Sequence, residues 1–316
     1  MNQSVEQRPE MATLTYTEAV GVGLLQGVTE LFPVSSLGHS VLLPALLGGH
    51  WARDLNVSAE NSPYLNVLIG LHLATALALI VYFRRDWGRV ISGLFSSIRR
   101  RRIETVDQKL AWLLIIATIP VGVAGLALDN LFRTTLGKPI PAAAFLALNG
   151  IVLYVAERLR RGGTGRRRAG HSPAPGEEHL HPDELSDRRI AALSFRQGTM
   201  IGAAQILALL PGISRSGVTI SAGIFRGLSH EDSARFAFML ATPVIAAAAL
   251  LKVPSLLGHA GDGIRGQVLA GGVAAFVAGY IAVRFLTRYF ETRTLTPFAI
   301  YCTLAGLGSL AYLTLG

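Results

Sequence analysis

Six apolar stretches of membrane-crossing length leave this chain few folds to choose from. Leu65–Phe83, Ala111–Leu128, Pro141–Glu157, Ala234–Val253, Gln267–Leu286 and Pro297–Leu315 each come near the roughly 20 residues that cross a bilayer core. In hydrocarbon every backbone N–H and C=O must find an internal partner, which a helix of this length provides. Charges inside the stretches fall only at their ends, as Glu157, Arg235, Lys252 and Arg284. Pro120 and Pro243 kink a helix without forbidding a span. The expected fold is therefore an all-α polytopic membrane protein. Composition agrees, with 51% hydrophobic and 16% charged residues, where a soluble domain is about a quarter charged. The single cysteine, Cys302, excludes a disulfide framework and gives no basis for redox or zinc chemistry. The first sixteen residues lack a basic n-region and an apolar h-region, so no cleavable signal peptide is expected.

A net charge of +9 raises the question of nucleic acid. The basic residues cluster instead at the ends of apolar runs, with no aromatic-interleaved groove, so membrane lipid is the expected partner and nucleic acid is not. Residues 84–109 hold eight Lys/Arg and residues 158–189 another eight, whereas loops 48–64 and 129–140 hold one and two. Two spans separate the basic loops, which places both on one side, the cytoplasm. The stretch 158–190, rich in Gly, Pro and charge, reads as a flexible cytoplasmic linker without chemistry of its own. Residues 87–98 read as a short helix on the membrane surface.

Two regions, 17–48 and 191–228, are apolar but broken by proline and a polar cluster, with halves too short to cross alone. They suit re-entrant helical hairpins. Gln26…Pro33-Val-Ser-Ser36…Gly38 resembles Gln205…Pro211-Gly-Ile-Ser214…Gly217, with the Pro-x-x-Ser cores aligned. The chain then divides into residues 17–157 and 191–316, each a hairpin followed by three spans. Three is odd, so the halves insert with opposite orientation. This is an inverted repeat whose broken helices meet near the midplane.

The hairpins also hold the candidate chemistry. Glu30 is a carboxylate at membrane depth, which is costly unless it serves a site; the alternative is a glutamate that pins the hairpin. Gln26 lies one turn earlier on the same face and can offer an amide oxygen to a cation. Ser36 and His39 pair a hydroxyl with an imidazole that titrates near neutrality, as a nucleophile and base would require. Ser35 and Ser40 are expected to cap broken backbone, and His72 is a weaker candidate in a supporting position. In the second hairpin Arg215 is the only charge between Arg196 and Arg226. Its planar fork matches phosphate oxygens. Ser214, Ser216 and Thr219 add hydroxyls, and Gly212 and Gly217 allow close backbone approach. A helix restarting after Gly217 would aim its N-terminus at the same anion. An internal salt bridge from Arg215 to Glu30 is the alternative reading, and it is compatible with holding an empty site.

The second motif is not a P-loop, since no GK[ST] follows its glycines. It is not a nucleophile elbow either, because Ser216 stands where the second glycine belongs. Phosphate chemistry fits these groups best, because phosphoryl transfer needs mainly positioning and charge neutralisation.

"QGVTELFPVSSLGH" and "PGISRSGVT" resemble the (E/Q)xxxE–PVSSxGH and PGxSRSxxT motifs of the undecaprenyl-diphosphate phosphatases of the bacitracin-resistance type. "LHLATALALIVYFRRD" and "SARFAFMLATPVI" add weaker matches. The resemblance implies hydrolysis of undecaprenyl diphosphate to undecaprenyl phosphate and inorganic phosphate. That reaction recycles the lipid carrier for cell-wall synthesis, in the bacterial inner membrane, with a site opening outward. It places Glu30 and Gln26 in the acidic motif and Ser36 and His39 in the hydroxyl/imidazole motif. It places Ser214, Arg215 and Thr219 on the diphosphate, and it implies a divalent cation, Mg²⁺ or Ca²⁺, at Glu30 and Gln26. Glutamine at position 26 removes a charge, which weakens any mechanism that needs two carboxylates on one metal. Ser36, or a water in its place, is the expected nucleophile. Glu30 and His39 are expected to move protons or hold the cation, with Arg215 neutralising charge. A homodimer is one arrangement open to such a chain. A polyprenyl-phosphate or anion transporter is the rival that the inverted repeat allows. The membrane phosphatases with PSGH and SR-x5-H-x3-D motifs are excluded, because Ser221 and Phe225 occupy their histidine and aspartate positions.

Overall fold

The computed structural model describes residues 14–49, 63–131, 137–163, 181–258 and 263–315, together with Ala52 and Leu55. These form twelve α-helices. The first hairpin is α1 (Tyr16–Leu31) and α2 (Ser36–Leu47), followed by α3 (Pro63–Tyr82), α4 (Arg84–Arg100), α5 (Val106–Leu131) and α6 (Pro139–Gly163). After α7 (Pro182–Ala191), the second hairpin is α8 (Phe195–Ala204), a 3₁₀ turn Gln205–Leu209, and α9 (Arg215–Phe225). Three long helices close the chain: α10 (His230–Leu257), α11 (Arg265–Thr292) and α12 (Thr296–Leu315). Helices α5, α6, α10, α11 and α12 are long and apolar enough to cross a membrane. Helices α3 and α4 supply a sixth crossing if taken together, bent by 84° at Phe83. The chain is a multi-pass membrane protein.

Each hairpin is held by the other half of the chain. Gly23 and Gly27 on α1 let its backbone reach the carbonyls of Gly271 and Ala275 on α11. Gly198 and Gly202 on α8, spaced the same way, meet Leu113 and the Ala117 carbonyl on α5. Small residues four apart permit this approach, which dispersion and weak polar contacts then stabilise in lipid. The same reciprocity joins α6 to α12, where Gly150 faces Thr303 and Gly306 faces Ala147.

Two local expectations are corrected. The surface helix expected at 87–98 is longer, as α4. It ends at Arg101 in the left-handed conformation (φ 53°), and Phe95 is 68% exposed on its apolar side. The end of the expected linker is ordered: α7 is capped by His181 and sends Asp187 and Arg189 into ion pairs with α4 and α10. Arg235 is the hub, bonding Asp86, Asp183 and Asp187 at 2.8–3.0 Å. Burial pushes the Asp187 carboxyl above its ordinary range, and the Arg235 and Arg89 guanidiniums partly counter this. The rest of that linker, 164–180, most of loop 48–64 and residues 132–136 of loop 129–140 lie outside the described residues, as does the Lys252 side chain.

Candidate active site

Both hairpins break at a serine-capped helix start, and the breaks touch. α1 ends because Pro33 cannot continue it, and the chain turns through Phe32–Val34. Ser35 then caps α2, its Oγ accepting from Gly38 N at 3.2 Å and from Gly212 N of the other hairpin at 3.2 Å. Ser35 has φ 71°, a strained backbone for a non-glycine residue. Ser214 caps α9 in the same way, accepting from Gly217 N at 3.2 Å. Gly212, at φ 106°, lies against Ala142 and Leu146 of α6, and a Cβ there would stand 2.7 Å from Leu146 N. A Cβ on Gly38 would lie 2.8 Å from Gly212 Cα.

Asn149, midway along α6, ties the two breaks together. Its Nδ2 donates to Pro33 O at 3.0 Å and its Oδ1 accepts from Ser214 N at 3.0 Å. Sequence reasoning passed over this residue. Its signal was a lone amide inside an apolar span.

These caps correct the alignment of the two motifs. Ser35, not Ser36, is the counterpart of Ser214, so Ser36 and Arg215 are both the first residue of a helix. The second helix restarts at Arg215, not after Gly217.

Around the breaks lies one polar cluster. Glu30 Oε1 accepts from Arg215 Nη2 at 2.6 Å. Glu30 Oε2 accepts a short hydrogen bond from Ser36 Oγ and a 2.9 Å bond from Gln26 Nε2. His72 Nε2 of α3 stands 3.4 Å from the same oxygen. His72 Nδ1 donates to Leu68 O at 2.7 Å, so its Nε2 meets the carboxylate as a donor only in the imidazolium form. Arg215 also donates through Nη1 to Ala241 O at 3.1 Å, leaving its other N–H groups for a ligand. Glu30 is buried, while Ser36, His72 and Arg215 are partly accessible and form the open side of the cluster.

Thus Gln26, Glu30, Ser36 and Arg215 are brought together. His39 is not part of that contact network. Its Nδ1 bonds Ser35 O at 2.7 Å and its Nε2 bonds Tyr301 OH at 2.7 Å, so the hydroxyl paired with it by spacing is in contact with Glu30 instead. The imidazole in the cluster is His72. Among the other predicted groups, Ser216 Oγ donates to Phe32 O at 3.1 Å, a carbonyl freed by the end of α1, and lies 3.0 Å from Ser214 Oγ, which can donate to it. Thr219 donates back to Arg215 O at 2.7 Å and so steadies the start of α9.

A divalent cation of the Mg²⁺ or Ca²⁺ type requires oxygen donors. Glu30 Oε2, Ser36 Oγ and Gln26 Oε1 are of that kind, and Gln26 Oε1 is buried with no hydrogen-bond partner. Among the described residues no group of three or more His, Cys, Asp or Glu could hold a metal ion. These three oxygens are the donors that the cluster could offer a cation.

Residues 19–308 match the family described as Bacitracin resistance protein BacA. The chain belongs to this family. It is 64% identical over 304 residues to the undecaprenyl-diphosphatase of Mycolicibacterium paratuberculosis, covering 96% of this chain and 99% of that one. It is 51% identical to undecaprenyl-diphosphatase 2 of Frankia alni, covering 94% of this chain and 97% of that one. For undecaprenyl-diphosphatase 1 of Burkholderia pseudomallei the identity is 42%, over 93% and 95% of the two chains. The described helices from α1 to α12 all lie within or overlap the matched span, so the cluster belongs to the family's shared body.

Proposed function

We infer that this membrane enzyme of the Bacitracin resistance protein BacA family hydrolyses undecaprenyl diphosphate to undecaprenyl phosphate and inorganic phosphate. The single observation that carries the mechanism is the hydrogen bond from Ser36 Oγ to Glu30 Oε2 beside the Arg215 guanidinium. Ser36 Oγ attacks the terminal phosphorus and passes its proton to Glu30. The phosphoanhydride P–O bond breaks and undecaprenyl phosphate leaves. Glu30 gives that proton up to the departing undecaprenyl phosphate; water then cleaves the serine phosphate, Glu30 accepting its proton and returning it to Ser36 Oγ as inorganic phosphate departs. Arg215 neutralises charge growing on the phosphoryl oxygens, and the start of α9, with Ser214 and Ser216, lies beside it. His72 holds Glu30 in position and exchanges a proton with it. His39 acts through Ser35 O, orienting the start of α2. Gln26 and Glu30 would hold a divalent cation on the diphosphate, where it would offset negative charge.

The reciprocal packing of α1 on α11 and α8 on α5 supports an inverted repeat of 17–157 and 191–316, with hairpins entering from opposite leaflets. The basic loops support a cytoplasmic linker in a protein of the bacterial inner membrane, with α1–α2 opening outward, where the diphosphate is released after polymer transfer. A transporter needs no hydroxyl against a carboxylate, which favours the enzyme.

Phosphate release from undecaprenyl diphosphate by purified Ser36→Ala and Arg215→Ala tests this reading. Both are expected to fall at least 100-fold. Near wild-type release by Arg215→Ala would overturn it, whereas retention by Ser36→Ala alone would replace serine by water as the nucleophile.

A further inference from the structure

The arginines that build this fold are paired. Arg89, Arg189 and Arg235 each bond aspartates, and Arg215 bonds Glu30. The end of α11 is different. Arg284, Arg288 and Arg293 border a shallow, open surface cavity of about 470 Å³, lined also by Ile281, Phe285 and Tyr289. No acidic side chain lines it, and none of the three arginines forms an ion pair among the described residues.

The surface leading to this cavity is apolar. Leu269, Val273, Val277, Ile281 and Phe285 recur every fourth residue along α11, and all are exposed, Leu269 by 70% and Ile281 by 62%. On a membrane-crossing helix such a stripe faces acyl chains. An unpaired guanidinium at the lipid-facing end of that stripe is costly unless water or an anionic headgroup meets it. Planar guanidiniums one turn apart match the oxygens of one phosphate. The shape is that of an amphiphile: a long apolar track ending in a cationic cup.

We propose that the Arg284–Arg288–Arg293 cavity binds the headgroup phosphate of an anionic phospholipid whose acyl chain lies along the α11 stripe. The site is separate from the Glu30 cluster and does not use its groups. Phe285 stacks on Phe32, at the end of α1, with ring centroids 5.9 Å apart, so an occupied cavity also buttresses the first hairpin.

The test uses full-length protein purified in neutral detergent and titrated with phosphatidylglycerol, phosphatidylcholine or inorganic phosphate, with the shift in Tm giving the apparent Kd. Phosphatidylglycerol is expected to raise Tm saturably, and the other two to have little effect. Arg284→Gln with Arg288→Gln should weaken phosphatidylglycerol about 30-fold, and Arg293→Gln about fivefold. Arg293 lies just beyond the helix, so its variant decides the matter should the double variant misfold. The control pair Arg99→Gln with Arg101→Gln, at the end of α4, should change Kd less than twofold. Wild-type affinity in the α11 variants would overturn the proposal. So would an equal loss in the control pair, which signifies net charge alone, or an equal shift with phosphatidylcholine. A full shift with inorganic phosphate signifies an anion pocket and overturns the lipid assignment.

Discussion

Replacing Asn149 by alanine tests whether the two hairpin breaks are held as one unit. The side chain makes one hydrogen bond to each break, at 3.0 Å in both cases, and is fully buried. Alanine leaves Ser214 N and Pro33 O without these partners. The Cys302 thiol at 3.6 Å from Pro33 O is a poor substitute. A buried backbone group stripped of its partner costs about 1–3 kcal/mol, so the two together destabilise by roughly 2–6 kcal/mol. The consequence for catalysis follows from position, since Ser36 and Arg215 begin the two helices that these breaks launch. Misplacement by about 1 Å costs on the order of 100-fold in rate. The assay is equilibrium unfolding in detergent beside steady-state phosphate release. The account expects lower stability, a kcat reduced 10- to 100-fold on that scale, and a smaller change in KM, because Asn149 makes no contact with the open side of the cluster. Stability within about 0.5 kcal/mol of wild type, with unchanged kcat, would refute the reasoning.

Three further outcomes follow from the geometry. His72→Gln, whose amide can still donate to Glu30, should retain more phosphate release than His72→Ala; equal loss in both would remove His72 from the cluster. Gly27→Val forces a side chain into the Ala275 carbonyl and the neighbouring backbone of α11, and should cost at least 1–3 kcal/mol as overpacking; wild-type Tm would contradict the packing described. Arg235→Met leaves Asp86 and Asp187 to share Arg89 alone and should destabilise by about 3–5 kcal/mol at neutral pH. Burial already raises the Asp187 carboxyl in the folded state, and losing Arg235 raises it further. A carboxyl whose folded value lies above its unfolded one weakens the fold as pH rises between the two. The deficit should therefore shrink toward about pH 4, where unfolded aspartate protonates, and a deficit that grows on acidification would be inconsistent.

Much of the architecture was legible because lipid simplifies the rules. Uninterrupted apolar runs became α3, α5, α6, α10, α11 and α12, and prolines followed by serines became the two breaks. Glu30, Gln26, Ser36 and Arg215 were legible for the same reason, as polar groups where hydrocarbon tolerates few. What sequence spacing could not resolve was side-chain direction across helices. His39 lies three residues from Ser36 on α2, yet its ring turns to Tyr301, 262 residues away. His72 and Asn149 reach the site from α3 and α6, and no local motif announces such contacts. The one-residue register error had a physical cause as well: proline position was used to align the hairpins, whereas the capping hydroxyl sets where each helix restarts. Charge density made residues 182–190 look like linker, but the same charges find buried partners on α4 and α10.

The most direct measurement is a double-mutant cycle on phosphate release from undecaprenyl diphosphate with Glu30→Gln, Arg215→Gln and the pair. Because the two side chains meet at 2.6 Å in one site, each single change should cost at least 100-fold and the pair little more than the worse single. Losses that multiply, or a single variant that keeps wild-type turnover, would contradict the account.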